Sequence, residues 1–299
     1  MFHHLLLKFL FNAISVQPDL IALHHERIGD WAWRCSGHLR RVCTCNGRGV
    51  LGPDASDAEL DAYGRSVIRE FLRFIGDIAQ AQDQPIDHIL ERVAEIHGRD
   101  HFESALERKR GVIVATCHLG NFEVGAAAIA ERVPETHVLF HGDAHHGFEA
   151  MRAKLHRQLG ITEAHIERGL DAWMQLRGAL DRGGAVLIQA DRCMPGQSGT
   201  PTPFLYGRLE MPDGPAKLAR ITGAPVLPIA SCVAESGKIE IEIDRPVDPQ
   251  RADADDFDAS LRGRLAGFFS DIIARYPGQW HVLHAAFLES HDEVHRQAP

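Results

Sequence analysis

Residues Cys117 to Glu123 read C-H-L-G-N-F-E, after the apolar run Gly111-Val-Ile-Val-Ala-Thr and before Val124-Gly-Ala-Ala-Ala-Ile-Ala, a stretch of helical composition. A histidine and a carboxylate therefore arrive together where a strand turns into a helix, which is where an open α/β sheet presents its reactive groups. An imidazole with one nitrogen bonded to a carboxylate is held in a single tautomer, and its other nitrogen becomes a better base. Such a base speeds the removal of a proton from an alcohol by about 10²- to 10⁴-fold. Gly120 lets the backbone bend, Asn121 is a good helix N-cap, and Glu123 falls in the first helical turn, where the macrodipole favours a carboxylate. Across so tight a turn, Glu123 is expected to fold back against His118. The amides that open the helix are candidate donors to an oxyanion, each contributing roughly 3 kcal/mol. A competing reading of the same residues is structural: a capped helix beside a histidine satisfied within the core.

These residues need a scaffold, and the pattern supplies one. Helices are expected at about 19–45, at 57–80, where Ser56-Asp-Ala-Glu-Leu reads as a cap with an acidic first turn, and at 85–109. From there strands and helices alternate. Strands are expected at 111–117, 137–141, near 161–166, at 185–191, 225–233 and 238–244, with helices at 121–132, 146–159, 168–182, 214–222 and 254–275. A Pro- and Gly-rich loop is expected over 192–212. The alternation implies an α/β fold with a mostly parallel central sheet flanked by helices. We read residues 1–299 as one domain, with 1–109 a helical N-terminal portion and 110–290 the α/β core.

Composition narrows the function. The net charge of −9 argues against nucleic acid as a partner, because phosphate contacts need a concentrated positive face. The six cysteines are scattered without a C-x-x-C pair, and no signal peptide with a small-residue cleavage site is visible, so a reducing cytosolic compartment is expected. No apolar run reaches the length of about 18 residues that a spanning helix needs. Met1 to Val16 is short and strongly apolar, suited either to lying in a bilayer interface or to docking on the core.

Other constellations carry less. Cys117 beside His118 suggests a cysteine nucleophile, but neighbours on an extended segment point to opposite sides, which favours a thiol packed inward. The histidines at His3-His4, His24-His25 and from His141 to His146 lack the spacing of a zinc site, so no metal is expected. Arg65, Arg69 and Arg73 recur every fourth residue on one helix face. Such a stripe is usually solvated, and its alternative use is to meet an acidic carrier protein or anionic lipid.

The element Cys117-His118-Leu-Gly-Asn-Phe-Glu123 resembles the H-x4-E signature of the lysophospholipid acyltransferase superfamily, with its glycerol-3-phosphate acyltransferase-like fold. It resembles in particular the bacterial lipid A late acyltransferase branch, which includes lauroyl and myristoyl transferases and phosphatidylinositol mannoside acyltransferases. Leu187-Ile-Gln-Ala-Asp191-Arg192 is similar to that branch's second block. It is followed by Pro203-Phe204-Leu-Tyr-Gly207 and by the segment from Met211 to Pro228. The tail Tyr276-Pro-Gly-Gln279-Trp280 with His284 and Phe287 looks like the closing segment, and Arg40-Arg41-Val42, Asn46 and Ser56 to Leu60 fit the looser N-terminal pattern. The likeness covers about residues 38 to 288.

It implies transfer of an acyl group from acyl carrier protein or coenzyme A thioester to a hydroxyl of a membrane lipid or glycolipid, such as a lipid A precursor. His118 is the implied base and Glu123 its orienting partner, with no covalent acyl-enzyme and no metal or redox cofactor. Gly120, Asn121, Arg157, Asp191 and Arg192 are the implied substrate-binding residues. Arg157 is carried over from a basic position near the acyl or head-group site, and its alternative is a solvated helix face. For Asp191 and Arg192 the alternative is a buried ion pair at a strand end. The implied location is the cytoplasmic face of the bacterial inner membrane, held peripherally. The rival enzyme class is a thioesterase or lipid hydrolase using the same pair on water, and a non-catalytic lipid-binding protein is a third reading.

Overall fold

The computed structural model describes residues 18–142, 146–193, 197–250 and 254–289. The apolar segment from Met1 to Val16 lies outside the described residues, as does His145.

Three long helices come first: α1 (Pro18–Cys35), α2 (Gly37–Leu51) and α3 (Asp57–Ala81). The single helix expected over 19–45 is divided because the Ser36 hydroxyl accepts from the Leu39 N–H at 3.2 Å, capping a new helix there. Ser56 and Glu59 form the reciprocal capping box expected at the start of α3. Its inner face, including Tyr63, Val67, Ile68, Ile75 and Ile78, is buried in one continuous hydrophobic cluster with sheet residues such as Ile113, Leu187 and Leu227. The arginine stripe on this helix is taken up by ion pairs: Arg65 with Asp61 and Asp30, Arg69 with Asp30, and Arg73 with Glu70.

The helix expected over 85–109 is instead α4 (Ile86–Leu90), strand β1 (Val93–His97) and α5 (Arg99–Leu106). Val93-Ala-Glu-Ile-His runs along the edge of the sheet, half exposed, so its composition lacks the apolar run that marks an interior strand. Gly98, at φ +74°, turns the chain out of β1, and a Cβ there would lie 2.1 Å from the Ile243 carbonyl.

The alternating region follows in the expected order: β2 (Val112–Thr116), α6 (Phe122–Arg132), β3 (Thr136–Phe140), α7 (His146–Gln158), β4 (Ile161–His165), α8 (Leu170–Asp181) and β5 (Ala185–Gln189). The loop expected at 192–212 holds an antiparallel hairpin of β6 (Gly199–Phe204) and β7 (Gly207–Pro212). Then come α9 (Gly214–Thr222), β8 (Val226–Val233), β9 (Ile239–Ile243) and α10 (Ala254–Arg275). Seven strands form the main sheet in the order β1-β9-β8-β2-β5-β3-β4. Only β8 and β9 run antiparallel. No described helix is long and apolar enough to cross a membrane.

Candidate active site

β2 and β5 are adjacent parallel strands at the centre of the sheet, with Thr116 opposite Gln189 at their carboxyl ends. Each chain continues two residues further, and these overhangs bring His118 beside Asp191. The His118 Nδ1–H donates to Asp191 Oδ1 at 2.8 Å, and the His118 backbone N–H donates to Oδ2 at 3.2 Å. The Trp280 indole N–H reaches the same Oδ2 at 2.9 Å. Asp191 is fully buried, and burial alone raises a carboxyl's pKa. Here His118, Arg192 and the indole outweigh that effect and hold it well below the usual carboxylate range. His118 keeps 16% of its side chain exposed. Burial first, and then the Arg192 charge, lower its pKa below 6.5, so the ring is neutral at neutral pH with Nε2 as its acceptor.

The turn carrying His118 is fixed from several sides. The Gly120 N–H donates to the Gln279 carbonyl at 3.0 Å, and the Asn121 N–H donates to Ser231 O at 3.2 Å. The His118 carbonyl accepts from the His281 N–H at 2.7 Å. The His281 ring donates from Nε2 to the Gly120 carbonyl at 2.8 Å, and burial depresses its pKa to about 4. Gly120 sits at φ +56°, where a Cβ would come within 2.2 Å of Ser231 O. The Asn121 side chain caps α6 at the Val124 N–H and donates to Asp77 Oδ2 at 2.9 Å. Gly120 and Asn121, expected to bind substrate, instead build the turn. Their amides, and that of Val124, already have acceptors and are not open to an oxyanion.

Glu123 does not orient His118. Its helix carries it to the far side of the turn, where Oε2 accepts from His156 Nε2–H at 2.9 Å. The opposite His156 nitrogen donates to Glu163 Oε1 at 2.7 Å. His156 is 3% exposed, and burial alone depresses an imidazole's pKa. The two flanking carboxylates reverse that effect and lift it to about 9, and the resulting cation keeps Glu123 ionised despite its own burial. The phase of α7 also separates neighbours. Phe148, Met151, Leu155 and His156 face inward and are buried, whereas Arg157 is exposed and is not brought to the site.

Both histidines border one cavity of about 1040 Å³, walled by apolar groups such as Phe74, Phe140, Leu187 and Trp173. Arg192 also lines it. One of its terminal nitrogens donates to His284 Nδ1 at 3.0 Å, and its buried Nε has no hydrogen-bond partner among the described residues. Cys117 packs inward, 1% exposed, and burial pushes its thiol pKa well up, which removes it as a nucleophile. Among the described residues no group of three or more His, Cys, Asp and Glu side chains is arranged to hold a metal ion.

The sequence reading missed His156, Glu163 and the service of Asp191 to His118. The inward phase of α7 was a usable signal for His156, since it shares the face of Phe148 and Leu155.

The family described as bacterial lipid A biosynthesis acyltransferase matches residues 5–289. Phosphatidylinositol mannoside acyltransferase of Mycobacterium tuberculosis (strain ATCC 25618 / H37Rv) is 26% identical over 248 residues, which are 80% of this chain and 72% of that protein. The protein of the same name from Mycolicibacterium smegmatis is 24% identical over 276 residues, covering 84% of this chain and 87% of its own. Among solved structures, the 1-acyl-sn-glycerophosphate acyltransferase of Thermotoga maritima superposes with a TM-score of 0.41 at 14% identity, over 87% of this chain and 98% of its own. With a family match across nearly its whole length, this chain belongs to the bacterial lipid A biosynthesis acyltransferase family and is an acyltransferase of lipid and glycolipid biosynthesis.

Proposed function

We propose that the protein transfers a fatty acyl group from a carrier-protein or coenzyme A thioester to a sugar hydroxyl of a phosphorylated glycolipid, with His118 as general base. The observation that carries this reading is the asymmetry of the His118 ring. Nδ1 is tied to Asp191, while Nε2 has no hydrogen-bond partner among the described residues and the ring borders an apolar cavity. The acceptor hydroxyl gives its proton to Nε2 as its oxygen attacks the thioester carbonyl carbon. The carbon–sulfur bond then breaks, and the departing thiolate takes the proton back from the imidazolium. Asp191 holds the ring and stabilises its transient charge, the part that the sequence had given to Glu123.

The cavity's apolar walls suit an acyl chain, and the Nε of Arg192, which has no partner among the described residues, suits an anionic oxygen of the acceptor or donor. The relatives' names support an acceptor of the phosphatidylinositol mannoside class, and the family's description supports a lipid A precursor. Peripheral attachment at the cytoplasmic face of the inner membrane is part of the same proposal.

Purified protein incubated with acyl-CoA or acyl carrier protein thioester and each acceptor, followed by mass spectrometry, tests it. An acceptor heavier by one acyl group is the expected product. Free fatty acid with no acylated lipid across the acceptors would replace transfer by hydrolysis.

A further inference from the structure

Three large apolar side chains stand in solvent on two helices that pack together: Leu170 at 74% exposure and Met174 at 53% on α8, and Ile221 at 63% on α9. Single exposed apolar residues are ordinary on a protein surface. These three differ because all of them also line the cavity that holds His118. Leu170, Trp173, Met174 and Arg177 fall at i, i+3, i+4 and i+7, one face of α8. Lys217 and Ile221 fall at i and i+4 on α9. The Trp173 ring packs on Gly214, where a Cβ would meet it at 2.8 Å, and so joins the two helices into one surface.

We propose that the α8–α9 rim is the face on which this protein docks to an anionic lipid bilayer. Leu170, Met174 and Ile221 enter the acyl region and Trp173 sits at the headgroup level. Arg177 and Lys217 meet lipid phosphates. Both are about half exposed, with intramolecular carboxylates 3.6 Å away at Asp181 and Asp213. Pairs of that length and exposure are weak and exchange readily for phosphate. The chain as a whole carries −9, so attraction to an anionic membrane must come from a local basic face such as this one. The inference rests on the reading of the cavity as an acyl-lipid site. It adds that the same cavity is lined both by this rim and by His118, so an acyl chain entering at the bilayer reaches the site through one cavity.

The test is flotation of the full-length protein with vesicles of phosphatidylcholine, with and without a minor share of phosphatidylglycerol. Leu170→Ser/Met174→Ser/Ile221→Ser is expected to lower the partition coefficient at least tenfold, which is about the loss of a single fully inserted side chain. Arg177→Gln/Lys217→Gln is expected to lower it on phosphatidylglycerol vesicles only, about fivefold per charge and so about 25-fold for the pair. Thermal melting of both variants should match that of the parent chain, since the replaced groups are exposed.

Unchanged flotation of the triple variant overturns the proposal and assigns membrane contact elsewhere, the segment from Met1 to Val16 included. A parent dimer that the triple variant dissolves, without vesicle binding, overturns it in favour of a second copy of this chain. His118→Ala separates the two proposals, because it should lose acyl transfer and float as the parent does.

Discussion

Two histidine–carboxylate groups border the same cavity, and their chemistry is opposite. His118 has one carboxylate partner, an indole-braced aspartate, and its second nitrogen has no partner among the described residues. His156 has a glutamate on each nitrogen and no face left for a substrate. One carboxylate does not offset burial and the neighbouring arginines, so the His118 ring stays neutral with a depressed pKa. Two carboxylates do, so His156 is held as a cation at about 9. A free nitrogen and a neutral ring make a base, whereas a saturated cation makes a fastener between α6, α7 and β4. The number of partners, more than the residue type, separates the two.

The sharpest way to break this contrast is to remove the base and its brace. His118→Ala and Asp191→Asn should each lower kcat by about 10³- to 10⁴-fold while the melting curve keeps its cooperativity. If Asp191→Asn instead runs at near-parent rates, the brace has been assigned to the wrong carboxylate. Glu123→Gln should act mainly on stability, because it leaves the His156 cation with one buried partner. A loss of about 3 kcal/mol in urea unfolding is expected, with kcat reduced less than about tenfold. Collapse of kcat at unchanged stability would restore Glu123 to the catalytic role read from the sequence.

Proton linkage offers a third test. A folded pKa of about 9 against 6.5 in the unfolded chain means that the native state binds the extra proton. The His156 contribution is thus fully present below pH 6.5 and is lost as pH rises through about 9. It amounts to roughly 3 kcal/mol across that window. In His156→Gln this alkaline decline should vanish from the pH–stability profile. His118 titrates in the other direction, so the acid limb of kcat/KM should lie below pH 6.5. A limb above that value would mean a ring charged at rest. The smallest effect is expected from Cys117→Ala, whose inward thiol takes no part in transfer, with kcat kept within about twofold in steady-state assays.

Much of the scaffold could be read from one dimension, because parallel strands buried on both faces are continuous apolar runs, as in Val112–Thr116 and Ala185–Gln189. The edge strand β1 carried no such signature. His118 was legible from its place at the strand-to-helix turn. Its partner was not, because local spacing favours Glu123, five positions on, and cannot show that strand pairing sets Asp191 opposite the ring. Asp191 and Arg192 entered through family likeness alone. Arg157 illustrates the limit of a register carried over without coordinates: one residue along α7, about 100° of rotation, separates solvent from the site.

The junction of β2 with β5 has a consequence for how the protein matures. The proposed base gains its aspartate only once Thr116 has settled against Gln189, because a slip of a single residue would turn the aspartate to the opposite face. A half-assembled sheet therefore holds a loose imidazole with ordinary reactivity. On the proposed mechanism, substrates meet an active catalyst only after the central strands have closed, so activity in this chain doubles as a report that its middle has folded correctly.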